Sequence, residues 1–186
     1  MKKQLLVLAS PSGGGKSTVA RHLLTIFPDF KLSVSATTRN KRPDEQHGKE
    51  YFFMTKENFE KAIKDNEFVE YEEIFGNLYG TLKTKIGNAI KNSEKLIFDI
   101  DVKGALSIKK LFPEYTLLIF ITPPSLDILE QRLRQRKTET EEQIRTRLSR
   151  AAMEISYEKY FDYTITNDDL EQTFRTAKEI VKANFY

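Results

Sequence analysis

The chain has no cysteine, which excludes disulfides and thiolate metal sites and makes a reducing compartment its natural setting. It has only two histidines, His22 and His47. Neither has a serine or carboxylate partner at a recognisable spacing, so no triad is visible and neither is given a catalytic role. No apolar run approaches the ~20 residues of a membrane span. The run Leu5–Ala9 behind Met1-Lys2-Lys3 is shorter than the roughly 7–15 apolar residues of a secretory segment. It is read as a first, central strand, and the protein as cytoplasmic. A large excess of one charge sign is also missing: a formal net charge of +3 hints weakly at anionic partners and does not suggest nucleic-acid binding. Internal repeats, low-complexity tracts and disordered linkers are missing as well. The 186 residues suffice for one compact domain carrying small insertions.

What is present is concentrated just behind that first strand. Residues Ser10 to Thr18 read Ser-Pro-Ser-Gly-Gly-Gly-Lys-Ser-Thr, a glycine-rich turn leading into Val19-Ala20-Arg21-His22-Leu23-Leu24. Strand, turn and helix in that order make a phosphate-binding loop. Pro11, Ser12, Gly13, Gly14 and Gly15 bring successive backbone N–H groups onto phosphate oxygens, and the new helix adds its positive end. Lys16 can reach β and γ phosphates, the Ser17 hydroxyl can ligate Mg²⁺, and Thr18 follows in the first turn. Ser10 stands where the pattern usually has its first glycine.

Strand and helix signals alternate along the chain, which predicts an α/β fold with a mainly parallel sheet flanked by helices. Expected strands are 4–9, 31–35, 51–54, 68–74, 95–100, 116–121 and 163–166. Expected helices are 17–27, 56–64, 83–92, 102–111, one from Ser125 through Arg136, one from about 142 to 159, and 170–183. Residues 36–49 read as a polar basic loop and Gly76 to Gly80 as a turn. The stretch 35–83 breaks the rhythm and reads as an inserted substrate lobe. Its phenylalanines, Phe52, Phe53, Phe59, Phe68 and Phe75, fit a small core of its own.

Asp99 closes an apolar strand, where phosphate-loop enzymes place a second Mg²⁺-linked acid, directly or through water. Asp101 projects to the same side if the strand continues; alternatively the two acids cap the following helix. Arg39 and Arg42 flank a basic loop, and arginine forks pair bidentately with phosphate; a solvated surface loop is the plain alternative. Arg132 and Arg136 share one helix face, and Arg147 lies on the next helix. Closing over a nucleotide, these arginines could reach a transferring phosphoryl group. The plain alternative is pairing with Glu130, Glu139 or Glu141, notably for Arg134 and Arg150.

With the phosphate loop, Ser33-Val-Ser-Ala-Thr-Thr-Arg39…Arg42-Pro43, Tyr51, Glu70, Gly76…Tyr79-Gly80-Thr81, Asp99-Ile-Asp101, Arg132-Leu-Arg-Gln-Arg136 and Asn167-Asp168-Asp169-Leu170 in order, the chain resembles the guanylate kinases along nearly its whole length. The resemblance implies a P-loop nucleoside-monophosphate-kinase core (1–34, 84–124, 151–186), a mixed α+β GMP-binding insert (35–83) and a helical lid (125–150). It implies ATP on residues 11–18 and Asn167, and the GMP phosphate on Ser35, Arg39, Arg42, Tyr51 and Tyr79. Glu70, Thr81 and Asp101 would read guanine. The implied reaction is Mg²⁺-dependent phosphoryl transfer from ATP to GMP in purine nucleotide metabolism, with dGMP as a further acceptor and Lys16, Arg39, Arg132, Arg136 and Arg147 as the catalytic cations. Lys103 and Lys137 depart from the glutamine and glycine usual at those places. Two other readings fit parts of the pattern. One is a non-catalytic module that binds phosphorylated peptides with the GMP lobe; the other is a small kinase with a different acceptor.

Overall fold

A computed structural model describes residues 2–74, 76–135 and 140–186. The first sheet contains β1 (Leu5–Ala9), β2 (Phe30–Leu32), β7 (Lys95–Asp99), β8 (Thr116–Thr122) and β9 (Tyr163–Thr166), in the spatial order β2-β7-β1-β8-β9. Every pairing in it is parallel. Leu5 to Ala9 are wholly buried, because β1 is central and helices cover both faces of the sheet. The period of two sorts its side chains. Leu6 and Leu8 pack with Val19, Leu23, Ala177, Val181 and Phe185, from α1 (Lys16–Ile26) and α7 (Leu170–Phe185). Leu5, Val7 and Ala9 pack with Ile86, Ala89, Val102, Ala105 and Ile108, from α3 (Lys83–Lys91) and α4 (Val102–Leu111).

The second sheet has the order β4-β3-β6-β5, built from β3 (Ala36–Thr37), β4 (Phe52–Phe53), β5 (Phe68–Ile74) and β6 (Asn77–Leu82). Beneath it lies α2 (Lys56–Lys64), whose N-cap Thr55 accepts a hydrogen bond from the Asn58 N–H. Phe59 and Phe68 stack at 4.3 Å as the centre of this smaller core. Last, α5 (Leu126–Gln135) and α6 (Glu141–Ile155) join through Leu129, Leu133, Ile144 and Ala151.

Several expectations are corrected. The strand expected over 31–35 is shorter, Phe30–Leu32 in the first sheet, and the loop expected over 36–49 opens with a strand, Ala36–Thr37, in the second, because the chain crosses between sheets at 33–35. The turn expected over Gly76 to Gly80 is mostly the strand β6. Glycine is needed in that strand: a Cβ at Gly80 would meet the Phe68 ring at 2.8 Å and the Glu70 carbonyl at 2.9 Å. The helix expected to run to about 159 stops at Ile155, followed by a 3-10 turn at Glu158–Tyr160. It starts at Glu141 behind a Thr140–Gln143 capping box.

Candidate active site

Ligands of open parallel sheets lie beyond the carboxyl ends of the strands, and here that edge carries the loop after β1, Asp99 at the end of β7 and Asn167 just past β9. The loop is drawn tight by the Gly14 N–H donating to the Pro11 carbonyl at 2.8 Å. Gly13 and Gly15 have φ of 95° and 101°, a left-handed backbone that only glycine adopts without strain. Gly15 is also the residue before α1, so the helix opens at once behind the turn. Ser10, in place of the usual glycine, is buried and is not among the residues with positive φ. Its hydroxyl donates to the Pro11 carbonyl at 2.9 Å.

Asn167 supports this loop from below. Its Nδ2 donates to the Gly14 carbonyl at 2.8 Å, its Oδ1 accepts from the Thr173 hydroxyl at 3.1 Å, and its N–H donates to the Thr122 carbonyl at 2.8 Å. At 6% exposure, its side-chain amide holds the loop's backbone. A Cβ at Gly15 would collide with this same amide. Gly15→Ala is therefore expected to lose most turnover and to destabilise the fold by about 1–3 kcal/mol from backbone strain alone. Thermal melting and the KM for ATP check both.

The cations converge on the loop. Lys16 Nζ forms an ion pair with Asp99 Oδ1. Arg147 Nη1 donates to the Ser12 hydroxyl at 2.6 Å, so α6 reaches back across the sequence to the phosphate loop. Arg132 Nη2 donates to the Asn167 carbonyl at 2.8 Å. Arg136 lies outside the described residues, as do Lys137 and Phe75. Arg134 takes the plain alternative, with Nη2 2.7 Å from Glu130 Oε1 and a second ion pair to Glu141. Ser17 sits on the exposed first turn of α1. Among the described residues no group of three or more His, Cys, Asp or Glu could hold a metal by itself. A hydroxyl and one strand-end carboxylate suit Mg²⁺, which takes most of its ligands from phosphate and water.

A second cluster of candidate residues lies on the other sheet. Arg39 Nη2 is 2.6 Å from Glu45 Oε1, and its Nη1 donates to the Asn40 carbonyl at 2.8 Å. The guanidinium lies 5.4 Å from the Tyr51 ring centroid and 5.7 Å from that of Phe53. Tyr51 and Tyr79 meet edge to face at 5.9 Å. Phe53 thus belongs with this site rather than with the insert's core. Arg42 is exposed, while its N–H donates to Glu45 Oε2 at 2.8 Å. Ser35 precedes β3, with its carbonyl accepting from the Phe52 N–H at 2.9 Å.

Glu45 was not singled out in the sequence. It is 9% exposed, and the Arg39 side chain, then the Arg42 N–H, hold its carboxyl below the usual range. An acid three residues after the second arginine was the available signal.

Glu70 and Thr81 face each other across β5 and β6, and the Thr81 hydroxyl donates to Glu70 Oε1 at 2.6 Å. Burial, then the charges of Asp101 and Glu72, push the Glu70 carboxyl up, against the hydrogen bond from Thr81. Asp101 does not continue β7. It caps α4, with Oδ1 accepting from the Gly104 N–H at 2.8 Å, so the capping alternative holds for this residue. Its Oδ2 lies 3.7 Å from Arg150 Nη2. Glu70, Glu72 and Asp101 line one cavity of about 620 Å³.

Known proteins resemble this chain along most of its length. A family model described as Guanylate kinase matches residues 2–184. A guanylate kinase of Chlorobium luteolum is 49% identical over 168 residues, covering 90% of this chain and 85% of the relative. One from Maricaulis maris is 45% identical over 179 residues, covering 96% and 82%. The crystal structure of guanylate kinase from Anaplasma phagocytophilum superposes with a TM-score of 0.73 at 34% identity, covering 99% of this chain and 87% of that one. A phosphate loop on one sheet, a half-buried acid–hydroxyl pair on the other, and a match along almost the whole length place this chain in the guanylate kinase family.

Proposed function

We propose that the protein transfers the γ-phosphoryl group of ATP to GMP, giving ADP and GDP, with Mg²⁺ bound alongside ATP. The half-buried Glu70–Thr81 pair carries the choice of acceptor. Guanine offers N1–H and an exocyclic amine to a carboxylate, and its O6 accepts from a hydroxyl. Adenine presents an N1 acceptor and no 2-amino group, leaving Glu70 facing an unpaired lone pair. Sites built on such hydrogen bonds discriminate by about 10⁴–10⁵.

In this reading ATP lies on residues 11–18, and the GMP phosphate is held by Ser35, Arg39, Arg42, Tyr51 and Tyr79. Glu45 holds Arg39 in place for it, and Glu70, Thr81 and Asp101 read the base. Residues 35–83 act as the GMP lobe and 125–150 as a lid on the remaining core. Ser17 and, through water, Asp99 are the residues that would hold Mg²⁺, which neutralises phosphate charge when bound.

A GMP phosphate oxygen is the nucleophile. With a second pKa of about 6 it is already anionic near neutral pH, so no general base is required. The two histidines fit that picture: His22 stacks on Phe174 at 3.9 Å and His47 packs against Phe52. Lys16, Arg39, Arg132, Arg136 and Arg147 then align the reactants and spread the charge of the transition state. ATP, GMP and dGMP are the proposed partners, and the cytoplasm the proposed compartment. Among the described residues no helix is long and apolar enough to cross a membrane.

A coupled ADP-release assay with Mg²⁺-ATP and matched GMP, AMP, UMP or CMP tests this. Turnover is expected with GMP alone. Another acceptor would overturn the guanine pocket, and no turnover at all would favour a binding module.

A further inference from the structure

Glu154 and Arg150 stand outside the machinery described so far. Glu154 sits on α6 at 4% exposure, and its Oε2 is buried with no hydrogen-bond partner. Its Oε1 accepts from Arg150 Nε at 2.9 Å. An i,i+4 pair on a helix surface is worth little, but a buried carboxylate with an open oxygen is costly unless something is gained from it. Both residues line the cavity shared with Glu70, Glu72 and Asp101. Arg150 Nη2 reaches 3.7 Å from Asp101 Oδ2 and 4.0 Å from Glu72 Oε2. One guanidinium therefore stands among three carboxylates from three different elements.

We infer that Arg150, anchored by Glu154, is the positioning residue that sets the Asp101 carboxylate for recognition of the guanine 2-amino edge. This rests on the guanylate kinase reading above. Asp101 is fixed at both oxygens, by the Gly104 N–H at 2.8 Å and by Arg150. Without the guanidinium, Glu72, Glu154 and Asp101 repel one another, and Oδ2 loses the group that orients it. Lys103 is the other cation lining the cavity; it follows Asp101 by two residues on α4 and does not bridge to α6. The Glu154 anchor is what makes an exposed arginine able to do this: it fixes the guanidinium at Nε and leaves Nη2 directed at the acids.

The test compares GMP with IMP, which differs from it only by lacking the 2-amino group. For Arg150→Ala we expect KM for GMP to rise about tenfold, the lower end of what one hydrogen bond to a charged group is worth. IMP should be affected much less, so the GMP-over-IMP preference in kcat/KM falls. The KM for ATP should stay within about twofold, since the phosphate loop keeps its own donors. Arg150→Lys restores a charge at the same place and should recover most of the preference, and Glu154→Gln should act in the same direction as Arg150→Ala. Equal losses for GMP and IMP, a fall in kcat with KM unchanged, or no change at all would each overturn the inference. A wild-type protein that does not phosphorylate GMP would instead overturn the underlying reading.

Discussion

Lys16→Met is expected to abolish phosphoryl transfer while GMP still binds. Lys16 is the one lysine of the phosphate loop, and its ammonium rests against Asp99 at the end of the neighbouring strand. That ion pair places the ammonium at the sheet's edge, where the β and γ phosphates of ATP would lie. Methionine keeps the length of the stem and removes the charge. A single preorganised charge or donor on a developing anion is worth about 10²–10³ in rate, and cations on a transferring phosphoryl group up to about 10⁵. The substitution also leaves Asp99 without its partner, which weakens nucleotide binding further. The second sheet, with Arg39 held by Glu45, is untouched. Steady-state turnover should therefore fall by about 10³-fold or more, while calorimetry with GMP should give an affinity near that of the wild type. Loss of GMP binding as well would mean that the two half-sites are not separable in this way.

Glu70→Gln is expected to cost at least about 10²-fold in kcat/KM for GMP, from two charge-assisted hydrogen bonds at about 1.5–3 kcal/mol each. The KM for ATP should be unaffected. The pH dependence gives an independent check. In the free protein the Glu70 carboxyl is raised, chiefly by burial. Such a group favours the fold at low pH, and that contribution is lost as pH rises through its raised value. Guanine donors favour the ionised form, so GMP binding must expel the proton when Glu70 carries one. The KM for GMP should accordingly rise as pH falls through the range just above an ordinary glutamate, and that rise should vanish in Glu70→Gln. An unchanged GMP preference in the variant would remove Glu70 from base recognition.

Local pattern carried much of the architecture. The helices over 56–64 and 102–111 and the strands 68–74 and 163–166 lie where periodicity puts them, because each is bounded by a cap, a turn residue or a change of period. Strand β6 was hidden because Gly76 and Gly80 look like punctuation. Its hairpin pairing with β5 and its pairing with β3, some forty residues earlier, decide its conformation. The phosphate loop was legible because its function is a run of consecutive residues. Glu45 and Glu154 were not: each pairs with an arginine only a few residues away, but such spacings are common on any charged surface, and it is their burial in the fold that sets them apart. The place of Asp101 turned on whether β7 ran two residues further, which side-chain capping of α4 settled.

Helix α6 touches both ends of the reaction. Arg147 meets Ser12 in the phosphate loop, and Arg150, one turn along, meets Asp101. On the function proposed above, a nucleotide that displaced Arg147 and carried α6 with it as a rod would shift Arg150 too. The affinities for donor and acceptor are then linked, and by reciprocity each must alter the other by the same factor.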